Sequence, residues 1–144
     1  MDVLTTRFGQ LHIGQEDLIS FSHGIPGLEH CRDWILLTDA QNESLGWLQC
    51  ANQPNVAFAV VSPRRFVPEY QVRLSSKELD PLRLRSVQQA QVLVIVGKQA
   101  EVITLNLKAP LIINPELRLG RQVVVGGASI RHEIVALTPL RKSA

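Results

Sequence analysis

The chain has 144 residues, of which 45% are hydrophobic, and a formal net charge of +2. A chain of this length buries about 68–70% of its unfolded surface, so it needs neither disulfides nor a metal to stabilise its core. It contains no apolar run near the ~20 residues of a membrane-spanning helix, and its first ten residues show no secretion signal. We therefore predict a single domain over residues 1–144, cytoplasmic and without a membrane partner.

Charge is unevenly distributed along the chain. Residues 1–60 carry two basic and seven acidic side chains, a net −5, whereas residues 61–144 carry thirteen basic and six acidic ones, a net +7. Such asymmetry can indicate polyanion binding. However, the basic residues are spaced out, and four Phe, two Trp and one Tyr are few for a base-stacking platform. We therefore expect no direct nucleic-acid contact, although direct RNA binding stays open as an alternative.

Short apolar runs separated by turn residues predict an all-β protein with one short helix. Val92–Val96 is apolar on both faces and predicts a central strand, and Gly97–Ala100 predicts a hairpin turn. Many short strands with one helix favour a small β-barrel-like closed sheet. Strands are predicted near residues 4–8, 10–13, 18–22, 34–38, 45–50, 56–62, 91–97, 101–107, 111–113 and 121–125.

One helix is predicted near residues 76–84. Ser75 and Glu78 have the spacing of a capping box, in which each side chain satisfies a backbone donor of the first turn. Pro81 is tolerated only in a first helical turn, so it shortens or breaks this helix. A second helical turn is predicted at residues 29–33.

The loop Gly24–Gly27 (G-I-P-G) has three possible interpretations. A phosphate-binding loop needs successive backbone N–H donors and a following Lys-Ser/Thr, but Pro26 lacks the donor and that pair is absent. A structural turn is therefore favoured, and a stiff recognition loop stays open.

Residues with metal-binding or nucleophilic chemistry form no complete motif. His23, His30, Cys31 and Cys50 lack the two close pairs of a zinc site, so we predict no metal and no cofactor. Without a secretion signal, the two cysteines are predicted to be reduced thiols. Ser129 and His132 could belong to a hydrolase, but no G-x-S-x-G elbow is present. We predict no catalytic residues and no enzymatic activity.

Two segments are candidates for contact with a protein partner. The first is the 21–28 loop. The second is the segment 64–70, which begins with the Arg64-Arg65 pair. Pro63 and Pro68 bracket this pair and limit its flexibility, which lowers the entropy lost on binding. A partner strand could also pair with an exposed edge at 101–107 or 111–113, while Asn114 is expected to end a strand through a side-chain turn. The predicted contact residues are Phe21, Ile25, Pro26, Leu28, Arg64, Phe66, Pro68 and Tyr70.

Several segments together resemble the flagellar assembly factor FliW family. The resemblance covers roughly residues 5–126, and residues 127–144 diverge from it and are predicted to be a flexible tail. Unlike many family members, which are acidic, this chain is net basic. The matching segments are TRFGQLHI (6–13), FSHGIPGLEH (21–30), WLQC (47–50), VAFAVVSP (56–63), VLVIV (92–96), LNLKAPLIIN (105–114) and GRQVVV (120–125).

The resemblance implies a small, non-enzymatic, cytoplasmic β-barrel-like protein in which G-I-P-G is part of the fold. It also implies two partners, flagellin and the RNA-binding translational repressor CsrA. The chain would antagonise CsrA away from its RNA surface, and flagellin would capture the chain and restore repression. We expect the chain itself to be a monomer.

Overall fold

The computed structural model describes residues 1–100, 102–125 and 132–135, the last four as backbone. Within these residues there is one α-helix, α1 (Ser76–Leu79), and single 3-10 turns at Gln15–Asp17, Pro63–Arg65, Asp80–Leu82 and Val87–Gln89. The strands are β1 (Asp2–Thr5), β2 (Gly9–His12), β3 (Leu18–Ser20), β4 (Asp33–Thr38), β5 (Leu45–Cys50), β6 (Ala57–Val61), β7 (Gln91–Gln99), β8 (Val102–Leu105), β9 (Leu111–Asn114), β10 (Leu119–Gln122) and β11 (His132–Val135).

Seven strands close into a ring in the order β3–β4–β5–β6–β7–β9–β10, which confirms the predicted barrel-like closed sheet. The segment β3 to β7 is an antiparallel meander. Three further pairings complete the ring: Gln91–Leu93 of β7 pairs with β9, β9 pairs antiparallel with β10, and Leu119 of β10 pairs in parallel with Ser20 of β3. Beyond the ring, β7 continues into a hairpin with β8, and β11 pairs with the other side of β8.

The barrel interior is one apolar cluster to which six of the ring strands contribute side chains. Trp34 of β4 is fully buried there, and its indole N–H donates to the Cys31 carbonyl at 2.8 Å. The next residue, Ile35, faces the opposite way and packs in a separate cluster with Val3 of β1. Because side chains alternate along a strand, β4 is apolar on both faces and needs a cover on its outer face.

Three peripheral segments cover the outside of the barrel. The β1–β2 hairpin packs Val3 against Leu18 and Ile35. Residues 66–72 pack over β5, β6 and β7, and residues 79–84 pack over β9 through Leu82. Much of the irregular part of the chain therefore lies over the apolar outer face of the ring.

The two helix predictions fare differently. α1 is only four residues long and passes into the 3-10 turn Asp80–Leu82, which contains Pro81, so the predicted span 76–84 was too long. The Glu78 carboxylate accepts from the Ser75 N–H at 2.9 Å, as in a capping box, but the Glu78 N–H bonds to the Ser75 carbonyl. The helical turn predicted at 29–33 is wrong. The chain forms a non-helical turn at residues 29–30 and enters β4 at Asp33.

The last strand of the ring and the segment that follows it also differ from expectation. The strand predicted at 121–125 lies at Leu119–Gln122. Val123 and Val125 are buried after the strand ends, in the cluster over β9, and their N–H groups donate to the Pro110 and Lys108 carbonyls at 3.1 and 2.8 Å. Within the segment predicted as a flexible tail, His132–Val135 forms β11, and the rest of that segment lies outside the described residues.

Candidate functional site

The G-I-P-G loop is a structural turn in the connection between β3 and β4. The Leu28 N–H donates to the Ile25 carbonyl at 2.7 Å, and Gly27 between them has φ of +88°. Pro26 at the second position and glycine with positive φ at the third are the signature of a type II β-turn. The favoured interpretation of this loop from the sequence is therefore confirmed.

Contacts on both sides brace this turn. A Cβ at Gly24, which has φ of +67°, would lie 2.6 Å from the Glu29 Cα, so only glycine fits there. The Gly27 N–H donates to the Glu29 carboxylate at 3.1 Å, and this bond holds the pKa of Glu29 below its usual range. From the far end, the Arg32 guanidinium donates to the Ser22 carbonyl at 2.6 Å and the Glu29 carbonyl at 3.2 Å.

The predicted contact residues of this loop divide between core and surface. Phe21 and Ile25 are 0% and 3% exposed and belong to the barrel interior. The expectation that they offer contact area is therefore wrong for this conformation, because their side chains fill the ring. Pro26 is exposed and Leu28 is half-buried, so a partner contact through these two stays a prediction.

The second predicted segment lies over the outside of the barrel. Tyr70 is 8% exposed, and its hydroxyl donates to the Leu107 carbonyl at 2.7 Å. Burial raises the pKa of Tyr70 to about 12. The surface expected around Phe66 and Tyr70 is thus largely occupied by packing, since Phe66 is half-buried in the same cluster.

Arg64 and Pro68 remain exposed in this segment. The Arg64 Nε donates to the Tyr70 carbonyl at 3.0 Å, which ties the arginine to the end of the segment. The residues predicted in the 21–28 loop and those predicted at 64–70 pack in different clusters, inside and outside the ring. The structure does not combine the two sets in one packed site.

The predicted sheet edges are not available. Both sides of β8 are occupied, by β7 and β11, and both sides of β9 are occupied, by β10 and β7. Strand addition at 101–107 or 111–113 is therefore wrong. The expectation for Asn114 is confirmed, because it ends β9 and its side-chain oxygen accepts from the N–H groups of Glu116 and Leu117 at 3.1 Å.

A groove of about 800 Å³ next to the second segment was missed by sequence reasoning. Arg64, Arg73 and Arg85 line it together with polar and aliphatic side chains, and no carboxylate, histidine or cysteine lines it among the described residues. Arg73 and Arg85 lie on opposite sides of α1 in the chain, so their proximity to one groove is a tertiary feature. The +7 charge of residues 61–144 was the available signal.

The described residues contain no cluster of metal-ligating side chains and no helix that could span a membrane. No group of three or more His, Cys, Asp or Glu residues among them could hold a metal ion. None of their helices is long and apolar enough to cross a membrane.

Cys31 and Cys50 are free, buried thiols, and burial together with the neighbouring Cys50 raises the pKa of Cys31 to about 12. Ser129 and the His132 side chain lie outside the described part of the chain.

Comparison with known proteins settles the family. The family model described as FliW protein matches residues 2–134, almost the whole chain. The chain belongs to the FliW family. A crystal structure of the flagellar assembly factor FliW superposes with a TM-score of 0.85 at 27% identity, covering 94% of this chain and 96% of that one.

Curated FliW proteins support the same assignment at the sequence level. The flagellar assembly factor FliW of Moorella thermoacetica is 37% identical over 139 residues, covering 93% of this chain and 88% of that protein. The FliW of Bdellovibrio bacteriovorus is 35% identical over 127 residues, covering 87% and 73% respectively. The FliW of Caldanaerobacter subterraneus is 34% identical over 140 residues, covering 94% and 93%.

Proposed function

We propose that this chain is a non-enzymatic flagellar assembly factor that binds flagellin and antagonises a CsrA-type translational repressor. The observation that carries this proposal is the FliW match over residues 2–134, together with relatives named flagellar assembly factors. The two partners follow from the family resemblance. We expect both complexes to form in the cytoplasm, with no cofactor.

The chemistry of the described surface supports binding over catalysis. The groove of about 800 Å³ has no carboxylate, histidine or cysteine in its described lining, so no side chain there is suited to act as a general base near neutral pH. The two cysteines are buried, and their thiols have no access to a substrate.

In the proposed mechanism, mass action alone operates the switch between partners. Free chain captures the repressor, and flagellin that accumulates before export captures the chain in turn. Whichever partner binds depletes the free pool available to the other. This mechanism needs no covalent step and no conformational change in the barrel.

The test combines purified chain with flagellin and CsrA of the same organism, separately and then together, on size-exclusion chromatography. We expect a complex with each partner alone and displacement of CsrA when flagellin is added in excess. A reporter carrying the flagellin leader should show relief of CsrA repression by the chain, and loss of that relief on adding flagellin. Failure to form either complex with folded chain would contradict the proposal.

A further inference from the structure

The segment Gln71–Leu74, which borders the groove, has backbone groups without hydrogen-bond partners among the described residues. These four residues lie outside any helix or strand, and none of their backbone N–H or C=O groups has a hydrogen-bond partner among the described residues. Gln71 and Arg73 are exposed, whereas Val72 and Leu74 are half-buried. That two-residue period is typical of an extended segment with one face covered. The run therefore resembles an unpaired strand edge, which another chain can pair with.

Positive charge at the groove is not neutralised by any carboxylate of the described residues. Arg64, Arg73 and Arg85 line the groove, and none of them lies within salt-bridge distance of a carboxylate among the described residues. No acidic side chain is present in the described lining. Unpaired like charges around a concave surface produce a positive potential that attracts an anionic ligand.

Half-buried aliphatic side chains in the lining favour a peptide over a simple anion as the ligand of the groove. An inorganic anion would engage the arginines and leave the aliphatic surface in water, whereas a peptide with acidic and apolar residues would cover both. The aliphatic lining residues are Val72, Leu74, Leu79, Val87, Ala90 and Val92.

The same lining does not favour single-stranded RNA. Tyr70 is the one aromatic residue in the described lining, and it is 8% exposed with its hydroxyl bonded to the Leu107 carbonyl. Recognition of unpaired bases relies on accessible aromatic faces for stacking. A backbone edge free for pairing is, in contrast, a device for binding peptide.

The C-terminal segment of the same chain is a poor candidate to occupy the groove, because it carries the same charge as the groove. Residues 136–144 contain Arg141 and Lys142 and no acidic residue. A basic segment next to three arginines would add repulsion. Charge complementarity therefore points to a different polypeptide.

We propose that this groove binds an extended, acidic segment of a partner protein, which pairs with the backbone of Gln71–Leu74 and places carboxylates on Arg73, Arg85 and Arg64. Its apolar residues cover the aliphatic lining. The inference goes beyond the proposed function because it concerns one groove and one ligand chemistry and holds whether or not flagellin or CsrA is the ligand.

The test measures binding of a labelled peptide in which Glu alternates with Val, using fluorescence anisotropy and the full chain. We expect Arg73→Gln and Arg85→Gln each to weaken binding about tenfold, as expected for loss of one charge-assisted hydrogen bond. Arg65→Gln is the matched control, since Arg65 is the neighbour of Arg64, donates to Ser44 and does not line the groove. This control should leave the affinity unchanged.

Two further measurements complete the test. The double variant Arg73→Glu/Arg85→Glu should lose the acidic peptide and gain binding of the same peptide with Lys in place of Glu. Hydrogen exchange should show peptide-dependent protection of the amides at 71–74. Unchanged affinity in both single variants, or protection elsewhere only, would overturn the proposal. So would displacement of the peptide by a single-stranded RNA oligonucleotide that stacks in the groove, or self-association through it.

Discussion

Gly120 shows how closely single residues fit in the barrel. It is buried in β10, and a Cβ built there would lie 2.6 Å from two ring atoms of Phe21. Phe21 is itself fully buried beside Trp34, with ring centroids 6.4 Å apart. The Phe21 ring therefore occupies the space that a side chain at residue 120 would fill.

We predict that Gly120→Ala destabilises the fold by about 1–3 kcal/mol, the usual range for overpacking a filled core. Urea denaturation followed by tryptophan fluorescence measures the change. Gly14→Ala is the control, because the atoms nearest its Cβ belong to the flexible end of the Glu16 side chain. That change should stay within about 0.5 kcal/mol, and equal effects for both variants would refute the packing argument.

Two buried acids give the fold a specific alkaline sensitivity. Burial raises the pKa of Cys31 from 9.0 to about 12 and that of Tyr70 from 10.0 to about 12. Between these limits the unfolded chain loses protons that the folded chain retains. Ionisation therefore favours the unfolded state, and stability falls as the pH rises through this window.

We predict that the free energy of unfolding declines between pH 9 and about 12. Each group that differs in protonation contributes a slope of about 1.4 kcal/mol per pH unit. Tyr70→Phe should reduce the slope, and Cys31→Ala should reduce it separately. A decline with the same slope in both variants and the parent would assign the effect to other groups.

At the scale of elements, Gln49 organises the connection between β5 and β6. Its side chain is fully buried, and its amide nitrogen lies 3.0 Å from the Cys50 carbonyl and 3.1 Å from the Val56 carbonyl. The Gln53 and Pro54 carbonyls are each 3.3 Å away. One amide group thus contacts four carbonyls of this connection, and those of Gln53, Pro54 and Val56 also accept from backbone N–H groups.

We predict that Gln49→Met, which keeps the volume and removes the donors, destabilises the chain by about 0.5–1.5 kcal/mol, because the amide hydrogen bonds are lost while the Gln53, Pro54 and Val56 carbonyls keep a backbone donor. The measurement is the urea midpoint at constant m-value. Gln41→Met, at an exposed residue, is the matched control and should be neutral. If both variants are neutral, water has replaced the amide and the loop does not depend on it.

The β1–β2 hairpin is a separate two-stranded sheet. A two-stranded hairpin is at best marginally stable in water, so this one depends on packing Val3 against Leu18 and Ile35. We predict that Val3→Ser increases hydrogen exchange at residues 2–12 and leaves exchange in β4 and β5 unchanged. Leu4→Ser, at a residue 64% exposed in the same strand, is the control. Global loss of protection in Val3→Ser would show that the hairpin and the barrel unfold together.

The sequence predicted the meander well because β4, β5 and β6 are apolar runs bounded by turn residues. It predicted exposure poorly for Ile25 and Tyr70, because these lie in irregular segments without a strand or helix period. Phe21 lies in the predicted strand 18–22 and points to the same interior cluster as Ile19, a two-residue period that was overlooked. Whether a residue in an irregular segment points into the core depends on turns such as the one at Pro26. The groove was missed for a related reason, since Arg73 and Arg85 are separated by α1 in the chain and line one groove only in the tertiary structure.

At the scale of the whole molecule, the ring separates an apolar interior from a charged exterior. Its interior holds buried side chains from strands distant in sequence, while the segments over its outer face carry the exposed and charged residues. Loops can then vary in charge without changing the fold. This chain and a FliW of only 27% identity can therefore share the barrel, with a TM-score of 0.85.

The most direct measurement of the central claim, that this barrel works by binding protein partners on its outer surface, is isothermal titration calorimetry. Flagellin and CsrA of the same organism are titrated separately into the folded chain. The account predicts a saturable, stoichiometric heat for each partner, and a loss of the CsrA signal when flagellin is already bound. No heat with either partner, from a chain whose circular dichroism shows an intact β fold, would contradict it.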